Sequence, residues 1–177
     1  MMRKTLLAGM AALSLSLTWL PADAGQIRVG FSPEGTAHAL VIDTITGARS
    51  SIRMMAYDFT DTSVSQALVA ARERGVDVRV VIDEKGNRAP ASYRVMQQLL
   101  TAGIPLRTDS DFKIQHDKVI IVDEKSVETG SYNFTASADR ANSENALLIE
   151  DEPALATQYL AHWQDRWQRG QDVTGGH

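Results

Sequence analysis

The chain has 177 residues, 44% apolar and 23% charged, which suits one globular domain and excludes a collagenous or low-complexity chain. It contains no Cys, which excludes a disulfide scaffold, a thiolate zinc site, an iron–sulfur cluster, a Cys nucleophile and a lipid-anchored Cys. The net charge of −4 gives no global basic field of the kind that announces a nucleic-acid or membrane partner.

Arg3 and Lys4 precede an apolar run over residues 6–20, and Pro21 is followed by the small-x-small triplet Ala22-Asp23-Ala24. That is the pattern of a secretory signal with its cleavage site. The run of roughly 15 residues is short for a membrane span of roughly 20. We expect residues 1–24 to be removed and residues 25–177 to form a single exported domain, periplasmic or secreted, with no membrane anchor left.

The mature part alternates strand and helix patterns. Residues 26–31 read as a strand, 32–35 as a turn, and 36–48 as a helix with Ala39, Leu40, Ile42 and Ile45 at helical spacing. Residues 51–57 read as a strand and 62–74 as a helix stopped by Gly75. Residues 76–82 form an apolar strand, 83–90 a polar loop, 91–102 a helix closed by Gly103, and 104–107 a short strand. A β-branched run over 118–122 and its return over 126–129 predict a hairpin. Residues 146–149 read as a strand. Residues 153–169 read as a helix that opens on Pro153 and places Leu155, Tyr159, Leu160, Trp163 and Trp167 on one core-facing stripe. Residues 171–177 look frayed. This order predicts an α/β fold: one mixed sheet flanked by helices on both sides.

The chemistry lies between Gln115 and Asn145. His116-x-Lys118 is followed after four residues by Asp123, then by Gly130-Ser131-x-Asn133, and later by Asn142-Ser143-Glu144-Asn145. Residues two apart on a strand share a face, so His116 and Lys118 converge on one point. Ser131 and Asn133 repeat that spacing on the expected neighbouring strand, and Gly130 removes a side chain where a ligand or backbone must come close. An imidazole, an ammonium, a hydroxyl and an amide together form an anion site with a nucleophile in it, and phosphate suits it best. Asp109, Asp111 and Asp117 read as scattered solvated acids. His38, His162 and His177 read as surface or packing residues.

This motif resembles the signature of the phospholipase D superfamily. The stretches 53–57, 74–78, 115–123 and 162–167 are similar to its small bacterial Nuc-type endonucleases, so the resemblance spans essentially the whole mature chain. The resemblance implies that His116 is the nucleophile of a phosphohistidine intermediate. It implies that Lys118, Ser131 and Asn133 bind the phosphate, that Asp123 completes the catalytic motif mainly by holding the loop after the strand, and that Glu144 orients His116. It also implies catalysis with no metal or other cofactor.

Larger members of that superfamily carry two copies of the motif, whereas here there is one. A second His116, from a homodimer partner, is therefore expected to protonate the leaving oxygen. The expected activity is an endonuclease on DNA, with RNA left open. Lys85, Arg88, Lys113 and Arg140 are candidates for a local basic rim. The alternative is a phospholipase D-type lipid head-group hydrolase or transphosphatidylase at the same site.

Overall fold

Apolar runs with β-branched or alternating patterns become strands, and runs with helical spacing become the helices that cover them. The computed structural model describes residues 25–174, so the expected signal over residues 1–24 lies outside the described residues. The order is β1 (Ile27–Ser32), α1 (Thr36–Gly47), β2 (Ser51–Ala56), α2 (Thr62–Glu73), β3 (Asp77–Asp83), α3 (Pro90–Thr101) and β4 (Leu106–Asp109). Then follow β5 (Lys118–Val122), β6 (Ser126–Gly130), α4 (Ala136–Arg140), β7 (Glu144–Ile149), α5 (Pro153–Arg169) and β8 (Gln171–Asp172). The strands form one mixed sheet in the order β1-β7-β6-β5-β2-β3-β4-β8. β2, β3 and β4 run parallel, and the other pairs are antiparallel.

Strand alternation sorts the core into two layers. Ile52, Met54, Val78, Val80, Ile120 and Leu148 face α1, α2 and α3. Met55, Val81, Val119, Ile121 and Val127 face α5, where Ala156 and Trp163 are buried against them. The Trp163 indole N–H donates to the Met54 carbonyl at 3.2 Å, which satisfies the one polar atom of that side chain. Truncating a side chain so placed costs about 3–5 kcal/mol. The stripe expected on the last helix is thus core, with Trp163 and Trp167 stacked at 5.0 Å.

Local chemistry sets the helix starts. Asp61 caps α2 by accepting from the N–H groups of Ser63 and Val64, and prolines open α3 and α5. Two elements escape the sequence reading. α4 is a single five-residue turn capped by Thr135. Gln171 and Asp172 are not frayed: they pair with Thr108 and Arg107, and the Arg107 guanidinium meets Asp172 at 2.7 Å.

Candidate active site

The carboxyl end of β2, the start of β5, the end of β6 and the start of β7 meet at one end of the sheet. This is where open α/β sheets gather functional side chains. A cavity of about 420 Å³ opens there, lined by His116, Lys118, Gly130, Ser131, Asn133 and Glu144. Five of the six site residues expected from sequence therefore share one space, and Asp123 does not.

His116 is exposed, and its ring packs against Tyr57 with 4.6 Å between centroids. Neither imidazole nitrogen has a hydrogen-bond partner among the described residues. Lys118 is buried. Its Nζ donates to the His116 carbonyl at 2.8 Å and lies 5.3 Å from the centre of the Tyr57 ring. Burial pulls the Lys118 pKa below its ordinary value, while Asp117, Glu144 and Asp58 oppose that shift. A phosphate entering the cavity would give this ammonium the anionic partner it lacks within hydrogen-bond reach.

Ser131 and Asn133 lie just past the end of β6, not within it. Ser131 Oγ donates to Glu144 Oε2 at 2.6 Å and accepts from the Asn145 N–H at 3.1 Å. The other Glu144 oxygen accepts from Asn142 Nδ2 at 3.0 Å. The Glu144 carboxylate is thus committed to Ser131 and Asn142, and it makes no hydrogen bond to His116, the contact the resemblance implies. Asn133 lines the cavity; its Oδ1 is buried without a partner, and its amide N–H groups are the ones able to donate to a phosphate oxygen. Gly130 is required by close approach: a Cβ there would stand 2.2 Å from the Asn145 carbonyl oxygen. Across Ala146 from Gly130, a Cβ on Gly30 would stand 2.4 Å from the Thr36 carbonyl oxygen. Gly30 thus lets the start of α1 approach β1, and Gly130 lets the Asn145 carbonyl approach the end of β6.

Asp123 sits at the opposite end of β5 from Lys118, roughly 16 Å away at about 3.3 Å per residue. Its carboxylate accepts from the N–H groups of Arg49, Ser50 and Ser51 and from Ser50 Oγ, at 2.7–3.1 Å. Burial alone would raise its pKa, but these donors outweigh burial and hold the carboxyl below the usual range. The structure thus removes Asp123 from the group that can touch a substrate.

Sequence reasoning misses several neighbours of the site. Tyr57 and Asp58 follow β2 directly, a position that the carboxyl-end rule for parallel strands would have flagged. Asp58 is drawn upward in pKa by burial, against the pull of Lys118. Asp109 is 1% exposed rather than solvated, and Asp117 pairs with His162 at 3.1 Å. Of the expected basic rim, Arg88 is paired with Glu84 and Arg140 with Asp139. Among the described residues, no group of three or more His, Cys, Asp or Glu side chains could hold a metal ion, and no helix is long and apolar enough to cross a membrane.

A cavity lined by the H-x-K and G-S-x-N residues at one end of this sheet fits a class of phosphodiester-cleaving proteins. The family model described as "Cardiolipin synthase, PLD-like domain" matches residues 41–167, and the chain belongs to the phospholipase D superfamily. The crystal structure of Nuc, a phospholipase D family member from Salmonella typhimurium, is 56% identical with a TM-score of 0.85. The match covers 85% of this chain and 99% of Nuc. NucT from Helicobacter pylori has the same fold at 21% identity and a TM-score of 0.74, over 84% of this chain and 99% of NucT. A protein named phospholipase D from Rickettsia bellii is 40% identical over 80% of this chain and 69% of its own length. The mitochondrial cardiolipin hydrolase of Mus musculus is 33% identical over 73% of this chain and 55% of its own length. The chain is accordingly a superfamily hydrolase acting on phosphodiester bonds.

Proposed function

We propose that this protein is an exported, metal-independent endonuclease that cleaves DNA through a phosphohistidine on His116, in a site completed by a second copy of the chain. The observation that carries this reading is the shared cavity of His116, Lys118, Ser131 and Asn133. The sequence resemblance to Nuc-type endonucleases, with 56% identity to Nuc, favours a nucleic-acid substrate over a lipid.

In the first step a ring nitrogen of His116 attacks phosphorus. The P–O bond to the leaving group breaks, and the leaving oxygen takes a proton from the second copy's His116. That His, now neutral, then removes a proton from water. The water oxygen attacks phosphorus, and the P–N bond breaks to return His116. Lys118 and Asn133 from both copies stabilise the charge that builds on the phosphoryl oxygens.

The uncovered face of β1 supports the dimer. α5 lies across β2, β4, β5 and β6. On the same face at the sheet edge, Ile27, Val29 and Phe31 are 67%, 55% and 50% exposed. Three large apolar side chains in a row on an edge strand mark an interaction surface. β1 ends beside the site, where Ser32 pairs with Glu144.

The test is plasmid nicking by the mature protein in excess EDTA, with His116→Ala alongside. Cleavage by the intact protein alone is expected. The relatives named phospholipase D and cardiolipin hydrolase favour lipid as the second reading. Head-group release from phospholipid vesicles without nicking would replace the nuclease by that reading.

A further inference from the structure

His116 works from a segment that the sheet itself does not hold. The ladder between β2 and β5 ends at the Ala56–Lys118 pair, and residues 114–117 lie outside any strand. Three contacts fix this segment. The Gln115 N–H donates to Asp83 Oδ1 at 2.7 Å. The His116 carbonyl accepts from Lys118 Nζ at 2.8 Å. Asp117 Oδ1 meets His162 Nε2 at 3.1 Å. The first contact is anchored in β3 and the second closes within the motif. The third ties the segment to α5, which Trp163, the residue after His162, locks onto the sheet through the Met54 carbonyl.

Asp117 continues the row of Val119 and Ile121 towards α5, while Lys118 continues the row of Ile120 on the opposite face. The carboxylate therefore leaves the site and is met from behind. It is also first among the charges that favour the protonated form of Lys118. His162 and Asp117 have no other side-chain partner among the described residues.

We propose that His162 is a positioning residue for the phosphodiesterase reaction: by holding Asp117 it fixes the backbone between His116 and Lys118 and aims the nucleophile. This rests on His116 being the nucleophile. A small shift of a reacting atom is enough to matter, because rate depends steeply on near-attack geometry.

The test compares His162→Ala, His162→Gln, Asp117→Ala and the His162→Ala/Asp117→Ala double variant, using full kinetics, melting temperature and size in solution. The expected result for His162→Ala is a kcat lowered ten- to a hundred-fold, with KM within twofold and size unchanged. His162→Gln keeps an N–H donor and should recover most of kcat. The double variant should lose no more than Asp117→Ala alone, because the two side chains act through one contact. A kcat within twofold of wild type in His162→Ala, additive losses in the double variant, or dissociation of the oligomer in His162→Ala would each overturn the proposal. His116→Ala runs as a control: retained turnover there would overturn the nucleophile assignment instead.

Discussion

The two ends of β5 carry the two halves of one motif, and they have opposite physical characters. At the Asp123 end every carboxylate oxygen is occupied by backbone and hydroxyl donors. At the His116 end an imidazole stands without a hydrogen-bond partner, a buried ammonium reaches only a carbonyl, and the Asn133 oxygen has no partner. Saturation makes the first end a joint between β5 and the start of β2. Incomplete satisfaction leaves the second end reactive: the ammonium gains an anionic partner when a phosphate arrives, and the imidazole keeps a ring nitrogen for attack. A six-position signature thus encodes a site at one end of a strand and the brace that holds that strand at the other.

Substitutions at the two ends should separate activity from stability. The largest effect is expected from His116→Ala, which should lower kcat by about a thousandfold or more and leave the melting temperature unchanged. Next, Val29→Asp combined with Phe31→Glu should yield monomers by light scattering. It should also lower activity by at least about a hundredfold, since the acid for the leaving oxygen is lost. A dimer that stays intact in this variant would remove the β1 face from the interface.

Glu128 lies between the two ends on β6, paired in register with Ile120 and Leu148 and fully buried. Burial pushes its pKa up to about 8. Its carboxyl is therefore neutral in the folded chain and ionised when unfolded at neutral pH. That stability is fully present below its unfolded pKa, near 4.5, and is lost as pH rises through about 8. Glu128→Gln should consequently gain about 3 kcal/mol relative to wild type between pH 5 and pH 8, read by denaturant unfolding at each pH. Equal pH slopes in the two proteins would place an ionised Glu128 in the core.

The smallest of the four effects is expected at the saturated end. Asp123→Ala should cost about 2 kcal/mol of stability, with kcat per folded molecule unchanged. Because the native Asp123 pKa is lowered, its contribution is present above the unfolded value and disappears as pH falls through the native one. The gap between wild type and variant should therefore close in acid. A large kcat loss with intact stability would make Asp123 part of the chemistry.

Much of this architecture was legible in the residues. β5 and α5 begin and end where a β-branched run and an opening proline place them. The short elements were not legible: α4 has too few residues for a period, and β8 is two polar residues defined only by their distant partners on β4. At the site, the motif spacing marks which residues meet, because strand pairing carries them to one end of the sheet. It does not show which backbone groups of residues 49–51 the Asp123 carboxylate takes up after the strand. Nor does it show that Glu144 is taken by Ser131 and Asn142, or that Asp117 turns back to His162. Those outcomes depend on turns and on helix packing between residues far apart in sequence.

The most direct measurement is to quench the protein during turnover and map the phosphorylated residue by mass spectrometry under alkaline conditions that preserve P–N bonds. His116 alone should carry the adduct, a phosphoryl group still esterified to one DNA fragment, absent in His116→Ala and captured without added metal. An adduct on another residue, or rapid cleavage with no covalent protein–DNA adduct at any time point, would contradict this mechanism.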